Sequence, residues 1–369
     1  MLPRGFIRNL DFGLLFSAAG LSLIGIFTIF TLGGHGASRS VNGLFYQQAA
    51  WFFLSCFAGY ICWSLNYRIW DRFAWLLYGI NIVLLLGLVI IGRKISGAAS
   101  WLSLGIMRFQ PSEIAKLLFI VTFAGYLSRY RQDLNRLTYL IVAFAQFLLP
   151  FGLIILQPDL GTGLVFIAVF FCMLYVAGID LPTLLISVIL FASGGMAGAA
   201  IMLKRYQLLR LTSFLDPNGD PLGSGYQLMQ SKVAVGSGML FGKGFFHGTQ
   251  AKMGFLPAAH SDFIFSAFCE QAGLIGAVVV LVLFLLLLMR IARIGSKAED
   301  LFAVYIAAGV FMMIAFQAAL NIGMTVGLVP ITGVPLPFVS YGGSSLMTNA
   351  CAIGLLLNIS IRRRKIMFV

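Results

Sequence analysis

Residues 263–289 read FIFSAFCEQAGLIGAVVVLVLFLLLLM, and Glu270 is their one charge. A helix needs about 20 apolar residues to cross a hydrocarbon core roughly 30 Å thick, so this run predicts a membrane span. The rest of the chain repeats the pattern. Of its 369 residues, 60% are hydrophobic and 10% charged, whereas soluble domains carry about 45–50% apolar and about 25% charged residues. Apolar runs bounded by charges fall near 11–32, 44–65, 73–92, 112–128, 138–156, 161–179, 183–203, 263–289, 301–328 and 343–361. They predict an all-α polytopic integral membrane protein with about ten transmembrane helices, residues 1–369 forming a single membrane domain. The runs are continuous rather than alternating, which excludes an outer-membrane barrel. The composition also excludes a secreted enzyme, a nucleic-acid-binding module and a disordered tail.

The 25 Lys and Arg against 12 Asp and Glu, a net charge of +13, would suggest nucleic acid in a soluble chain. In a polytopic chain they report orientation instead, because short cytoplasmic loops collect Lys and Arg. Basic residues gather before the first span (Arg4, Arg8) and after the second, fourth, eighth and tenth, the last holding Arg362, Arg363, Arg364 and Lys365. The short loops on the other side hold only Arg39, Arg93, Lys94 and Arg108. Both termini are therefore read as cytoplasmic, and the long interval 204–262, between spans seven and eight, as facing outward. No small-residue cleavage site clearly follows the first run, which is read as a span rather than a signal peptide. No inverted repeat is visible, which counts against a typical secondary transporter. The cysteines Cys56, Cys62, Cys172, Cys269 and Cys351 make neither a CxxC metal pattern nor a disulfide framework.

Polar residues at or within the spans need a reason. Glu113 and Lys116, in Gln110-Pro111-Ser112-Glu113-Ile114-Ala115-Lys116, share one helix face at i,i+3 spacing. Facing lipid would cost at least about 2.5–3.5 kcal/mol each, so both should face the bundle interior, as a structural ion pair or at a polar substrate. Asp159, in Gln157-Pro158-Asp159-Leu160-Gly161-Thr162, is a helix cap or a site residue. The glycine-rich stretch Gly236–Gln250 is not a P-loop, since Gly244 stands where Ser or Thr is needed. It reads as a tightly packed bend, or as backbone that approaches a phosphate beside Lys232 and Lys243. Asp262, in His260-Ser261-Asp262-Phe263, enters an apolar helix at once. A carboxylate partly desolvated there has a raised pKa, which suits a general base; it also suits a helix cap, and the roles coexist. The turn Thr332-Gly333-Val334-Pro335-Leu336-Pro337-Phe338-Val339-Ser340-Tyr341-Gly342-Gly343 breaks the helix at membrane depth. It is a re-entrant segment beside a site or a surface turn.

Four blocks together resemble the SEDS family (shape, elongation, division and sporulation) over the whole chain. They are Gln110–Glu113 with Lys116, Gln157–Thr162, Asp216-Pro217 through Gly225-Tyr226-Gln227 to Phe263, and Pro335–Phe338 with Ser340–Ser345. The stretch Gly242–Gln250 is closer to the elongation branch than to the division branch. Ala258, Ser261 and Gln271 depart from the family pattern, so helper carboxylates are missing at the first and last of these positions.

The resemblance implies a peptidoglycan glycosyltransferase that polymerises lipid II at the outer face of the bacterial cytoplasmic membrane. Asp262 matches its catalytic aspartate, and Arg210 matches a position just before Phe214–Pro217. Deprotonation of the acceptor hydroxyl falls to Asp262. Charge for the departing undecaprenyl diphosphate is available from Lys116, Arg210, Lys232 and Lys243, with Glu113, Asp159 and Ser340 completing the substrate-binding set. No motif demands a metal; a divalent cation, Mg2+ or Mn2+, is compatible with Asp159 or Asp216 as an oxygen ligand. The implied partners are a class B penicillin-binding protein and elongation-complex proteins, with no nucleic acid. The penicillin-binding protein's anchor helix is expected against spans eight and nine, or else against Gly194, Gly195 and Gly198 of span seven. A lipid-linked precursor flippase and a non-catalytic scaffold for a wall synthase are the rival classes. A flippase needs polar groups through the membrane depth, and a scaffold needs no Asp262.

Overall fold

The computed structural model describes residues 10–33, 39–91, 93–95, 98–104, 107–202, 205–216, 220 and 223–362. Arg4, Arg8, Pro217, Arg363, Arg364 and Lys365, all used above, lie outside the described residues. The helices in order are α1 (Phe12–Leu32), α2 (Arg39–Ser64), α3 (Tyr67–Arg72), α4 (Ala74–Ile91), α5 (Pro111–Tyr130), α6 (Leu137–Leu156) and α7 (Leu160–Ala177). There follow α8 (Leu181–Met202), α9 (Arg205–Leu215), α10 (Ser224–Ser237), α11 (Thr249–Lys252), α12 (Ile264–Ser296), α13 (Leu301–Val326) and α14 (Gly343–Ile361). The helices α1, α2, α4–α8 and α12–α14 stand where the apolar runs were read. Among the described residues α1, α6, α7, α12, α13 and α14 are each long and apolar enough to cross a membrane. The protein is a polytopic, helical membrane protein.

Two features depart from the sequence reading. Between α4 and α5 the chain forms a small antiparallel sheet of β1 (Arg93–Ile95), β2 (Ala98–Leu104) and β3 (Met107–Phe109). Strands this short are hidden between long apolar runs. The interval 204–262 is not an open loop either, because it carries α9, α10 and α11 and folds back on the bundle.

Helix ends follow local chemistry. Asp11 accepts from the Leu14 amide at 3.1 Å, Asp159 from Thr162 at 3.1 Å and Asp300 from Ala303 at 2.9 Å, each capping the helix it precedes. Gly178 and Gly327 take left-handed conformations that end α7 and α13. The core is aromatic where α5, α6 and α7 meet, through Phe119, Phe123, Phe147, Phe166 and Phe170. Elsewhere small residues let backbones touch. A β-carbon at Gly354 of α14 would run into the carbonyl of Gly59 on α2.

Candidate active site

Three turns and the helix α9 converge at one end of the bundle. Asp262 closes the segment before α12, and the 331–334 turn after α13 lies against it. Gly333 has φ +72, and a β-carbon built there would be 3.7 Å from both Arg210 Nη1 and Asp262 Oδ2. Arg210, on α9, also donates to the Ile331 carbonyl at 3.5 Å. Its neighbour Gln207 donates to Pro158 O at 3.4 Å, which draws in the turn between α6 and α7. There a β-carbon at Gly161 would sit 2.6 Å from Val334 and 2.8 Å from the Thr332 carbonyl. Gly161 is glycine because Val334 and the Thr332 carbonyl leave no room for a β-carbon, and Gly333 because its φ of +72 disfavours other residues.

The Asp262 segment is held by its backbone, which leaves the carboxylate to the site. Asn321 on α13 donates through Nδ2 to Asp262 O at 3.0 Å and to Val334 O at 2.8 Å. Ser340 Oγ donates to Ser261 O at 2.7 Å and accepts from the Leu336 amide at 2.8 Å. The Tyr341 amide donates to His260 O at 2.9 Å. Behind this turn, Gln48 of α2 accepts from the Gly342 amide at 3.3 Å. The 335–341 segment is buried at Leu336, Phe338, Val339 and Ser340, so it is not an ordinary surface turn. Burial pushes the Asp262 carboxyl above the ordinary aspartate range, while the Arg210 guanidinium and a hydrogen bond with the Ser261 side chain pull it back.

The chain matches the profile of the FtsW/RodA/SpoVE family, described as cell cycle proteins, over residues 9–365. It belongs to that family. A probable peptidoglycan glycosyltransferase FtsW of Thioalkalivibrio sulfidiphilus is 36% identical over 370 residues, which is 95% of this chain and 90% of the relative. The peptidoglycan glycosyltransferase MrdB of Escherichia coli is 38% identical over 299 residues, 80% of each chain. Among solved structures, a chain of a peptidoglycan synthase complex that coordinates polymerization and crosslinking superposes with TM-score 0.81 at 30% identity, covering 95% of this chain and 97% of that one. The rod shape determining protein RodA of Thermus thermophilus gives TM-score 0.72 at 28% identity, covering 96% and 98%.

The other residues singled out in this family member fall into three situations. Glu113 and Lys116 form an ion pair of 2.8 Å with side chains 3% and 2% exposed, so both do face the interior. Glu113 Oε2 has no partner there. Asp159 is a junction as well as a cap. Its Oδ2 accepts from Gln110 at 3.2 Å, Ser112 at 3.4 Å and Thr162 Oγ1 at 2.9 Å, tying α5 to α7. Ser340 and Lys243 have partners within the protein. The one hydroxyl proton of Ser340 is committed to Ser261, so it holds the Asp262 segment. Lys243 Nζ lies 2.7 Å from Glu270 Oε1, whose side chain is fully buried, which commits that charge to the protein. Among the described residues no three His, Cys, Asp or Glu side chains gather as a metal site. Sequence reasoning missed Asn321, whose signal was an amide inside an apolar span.

Proposed function

We propose that this protein polymerises lipid II at the outer face of the bacterial cytoplasmic membrane, with Asp262 as general base. The chain is a peptidoglycan glycosyltransferase, the class its relatives carry in their names. The observation that supports the base is the grouping of Asp262 and Arg210 around the bare backbone of Gly333. Reaction at this point needs a base for the acceptor hydroxyl and a cation for the leaving group. As the acceptor oxygen bonds to the donor's anomeric carbon, its proton passes to Asp262 and then to water. The bond from that carbon to the diphosphate breaks, and undecaprenyl diphosphate leaves with the electron pair. Arg210 stabilises the charge that develops there. A carboxyl raised by burial is a stronger base than an ordinary aspartate.

A divalent cation would add charge at the diphosphate. Asp159, which already accepts from Gln110, Ser112 and Thr162, or Asp216 would supply a protein oxygen to such an ion beside the substrate oxygens. We place the protein in the elongation branch on the Gly242–Gln250 stretch. Its partner is then a class B penicillin-binding protein, whose anchor helix packs on α12 and α13. The exposed Leu274, Val278, Leu281, Leu285 and Met289 of α12 support that surface. The test is purified protein in vesicles supplied with lipid II. Glycan strands formed without a partner are expected. Lipid II moved across the bilayer without strands would make it a flippase, and neither outcome without a partner synthase would make it a scaffold.

A further inference from the structure

Helix α12 is interrupted two turns below Asp262. At Gly273 the backbone takes φ 66 and ψ −164, a region essentially restricted to glycine. In an unbroken helix Leu274 would donate to Glu270 and Ile275 to Gln271. Here the segment 239–244 enters the break and meets all four groups. Lys243 N–H donates to Glu270 O at 2.9 Å, and Gly244 N–H to Gln271 O at 3.1 Å. Leu274 N–H donates to Met239 O at 2.9 Å, and Ile275 N–H to Leu240 O at 3.2 Å. The fit is tight. A β-carbon at Gly238 would strike the Cys269 carbonyl, and one at Gly242 the Gln271 carbonyl.

One ion pair closes this splint. Glu270 Oε1 accepts from Lys243 Nζ at 2.7 Å, from the Thr249 amide at 2.8 Å and hydroxyl at 3.0 Å, and from the Gln250 amide at 3.0 Å. The Ala251 amide reaches Oε2 at 3.4 Å. Glu270 thereby caps α11, whose own N-cap is Gly248 without a side chain to offer. Gln271 Oε1 accepts from Thr31 of α1 at 2.6 Å. The ring of Phe245 packs on Phe27 at 4.9 Å and that of Phe246 on Phe30 at 5.7 Å. The splint is thus anchored to α1 as well as to α12.

The half of α12 above the break, Ile264–Ala272, begins two residues after Asp262. Its upper end is held by Asn321, Ser340 and Tyr341, and its lower end by what is inserted in the break. We infer that Lys243 and Glu270 are positioning residues for the reaction at Asp262. The ion pair locks the 239–244 splint into α12, and the splint aims the two-turn helix that presents the carboxylate. This rests on the reading of Asp262 as the base. It also explains why a lysine sought as a diphosphate ligand points into the protein. Loss of the ammonium leaves a buried carboxylate without its counter-charge, and the upper half of α12 shifts to relieve it.

The experiment is steady-state polymerisation against lipid II concentration by the purified full chain in vesicles. It compares the parent with Lys243→Met, Lys243→Arg, Glu270→Gln and Asp262→Asn. Turnover of Lys243→Met is expected to fall about ten-fold or more with KM within about two-fold, the signature of lost alignment rather than lost binding. Lys243→Arg, which keeps the charge, is expected to recover most of the turnover. Should Lys243→Met fail to fold, Glu270→Gln carries the test, because its amide oxygen still accepts from Thr249 and Gln250. Parental turnover in the charge-removing variants would overturn the inference, as would a raised KM at full turnover, which would place Lys243 on the substrate. An active Asp262→Asn would overturn the base itself. An inactive Asp262→Asn beside an unimpaired Lys243→Met would overturn the positioning role alone.

Discussion

Arg210 Nη1 and Asp262 Oδ2 stand equally far from the place where a side chain would begin on Gly333, 3.7 Å in each case. Gly333 is therefore the floor between a carboxylate and a cation. Its φ of +72 is what demands glycine, since the left-handed region costs other residues roughly 1–2 kcal/mol. Gly333→Ala is expected to lose at least about ten-fold in turnover while remaining folded. Initial rates and thermal unfolding of the same preparation check this, and parental rates would show that nothing passes over Gly333.

The raised Asp262 carboxyl sets a pH dependence with a definite sign. The protonated, inactive form persists to higher pH than in an ordinary aspartate, so activity falls as pH drops through the raised value. Arg210 pulls that value down, so Arg210→Ala should move the acidic limb of kcat/KM to higher pH, besides lowering turnover. For stability, the folded state binds more protons than the unfolded chain between the ordinary and raised values. Stability falls as pH rises through that window, and the penalty remains above it. Asp262→Asn should then be no less stable than the parent at neutral pH. Profiles of kcat/KM and unfolding midpoints against pH test both statements, and an Arg210→Ala limb at unchanged pH would separate the two residues.

Much of this was legible in the residues. Long uncharged runs mark the spans because nothing else in a protein needs about 20 apolar residues in succession. Asp262 stood out because a carboxylate meets an apolar helix there, and Asp159 because it follows Pro158 at a helix start. What stayed hidden depends on partners distant in the chain. Lys243 and Ser340 look available in one dimension, and only folding brings Glu270 to the first and the Ser261 carbonyl to the second. The break at Gly273 is silent because the apolar run continues past it. The helices α9 and α10 are short and mixed in character, so they read as loop.

Glu113 and Lys116 carry a coupled stability term. With both side chains nearly fully buried, removing one partner leaves an uncompensated charge at a cost of about 3–5 kcal/mol. Glu113→Gln and Lys116→Met should each destabilise strongly, and the double variant should be milder than either single one. Unfolding midpoints of the parent, both single variants and the double variant close the cycle. Additive losses would mean that the 2.8 Å pair does not couple energetically.

The most direct measurement is lipid II polymerisation by purified Asp262→Asn, made alongside its thermal unfolding. The amide keeps the shape of the carboxylate and cannot take a proton. A general base at Asp262 predicts no glycan strands above the enzyme-free background, from protein at least as stable as the parent at neutral pH. Parental polymerisation by a well-folded Asp262→Asn variant would contradict it.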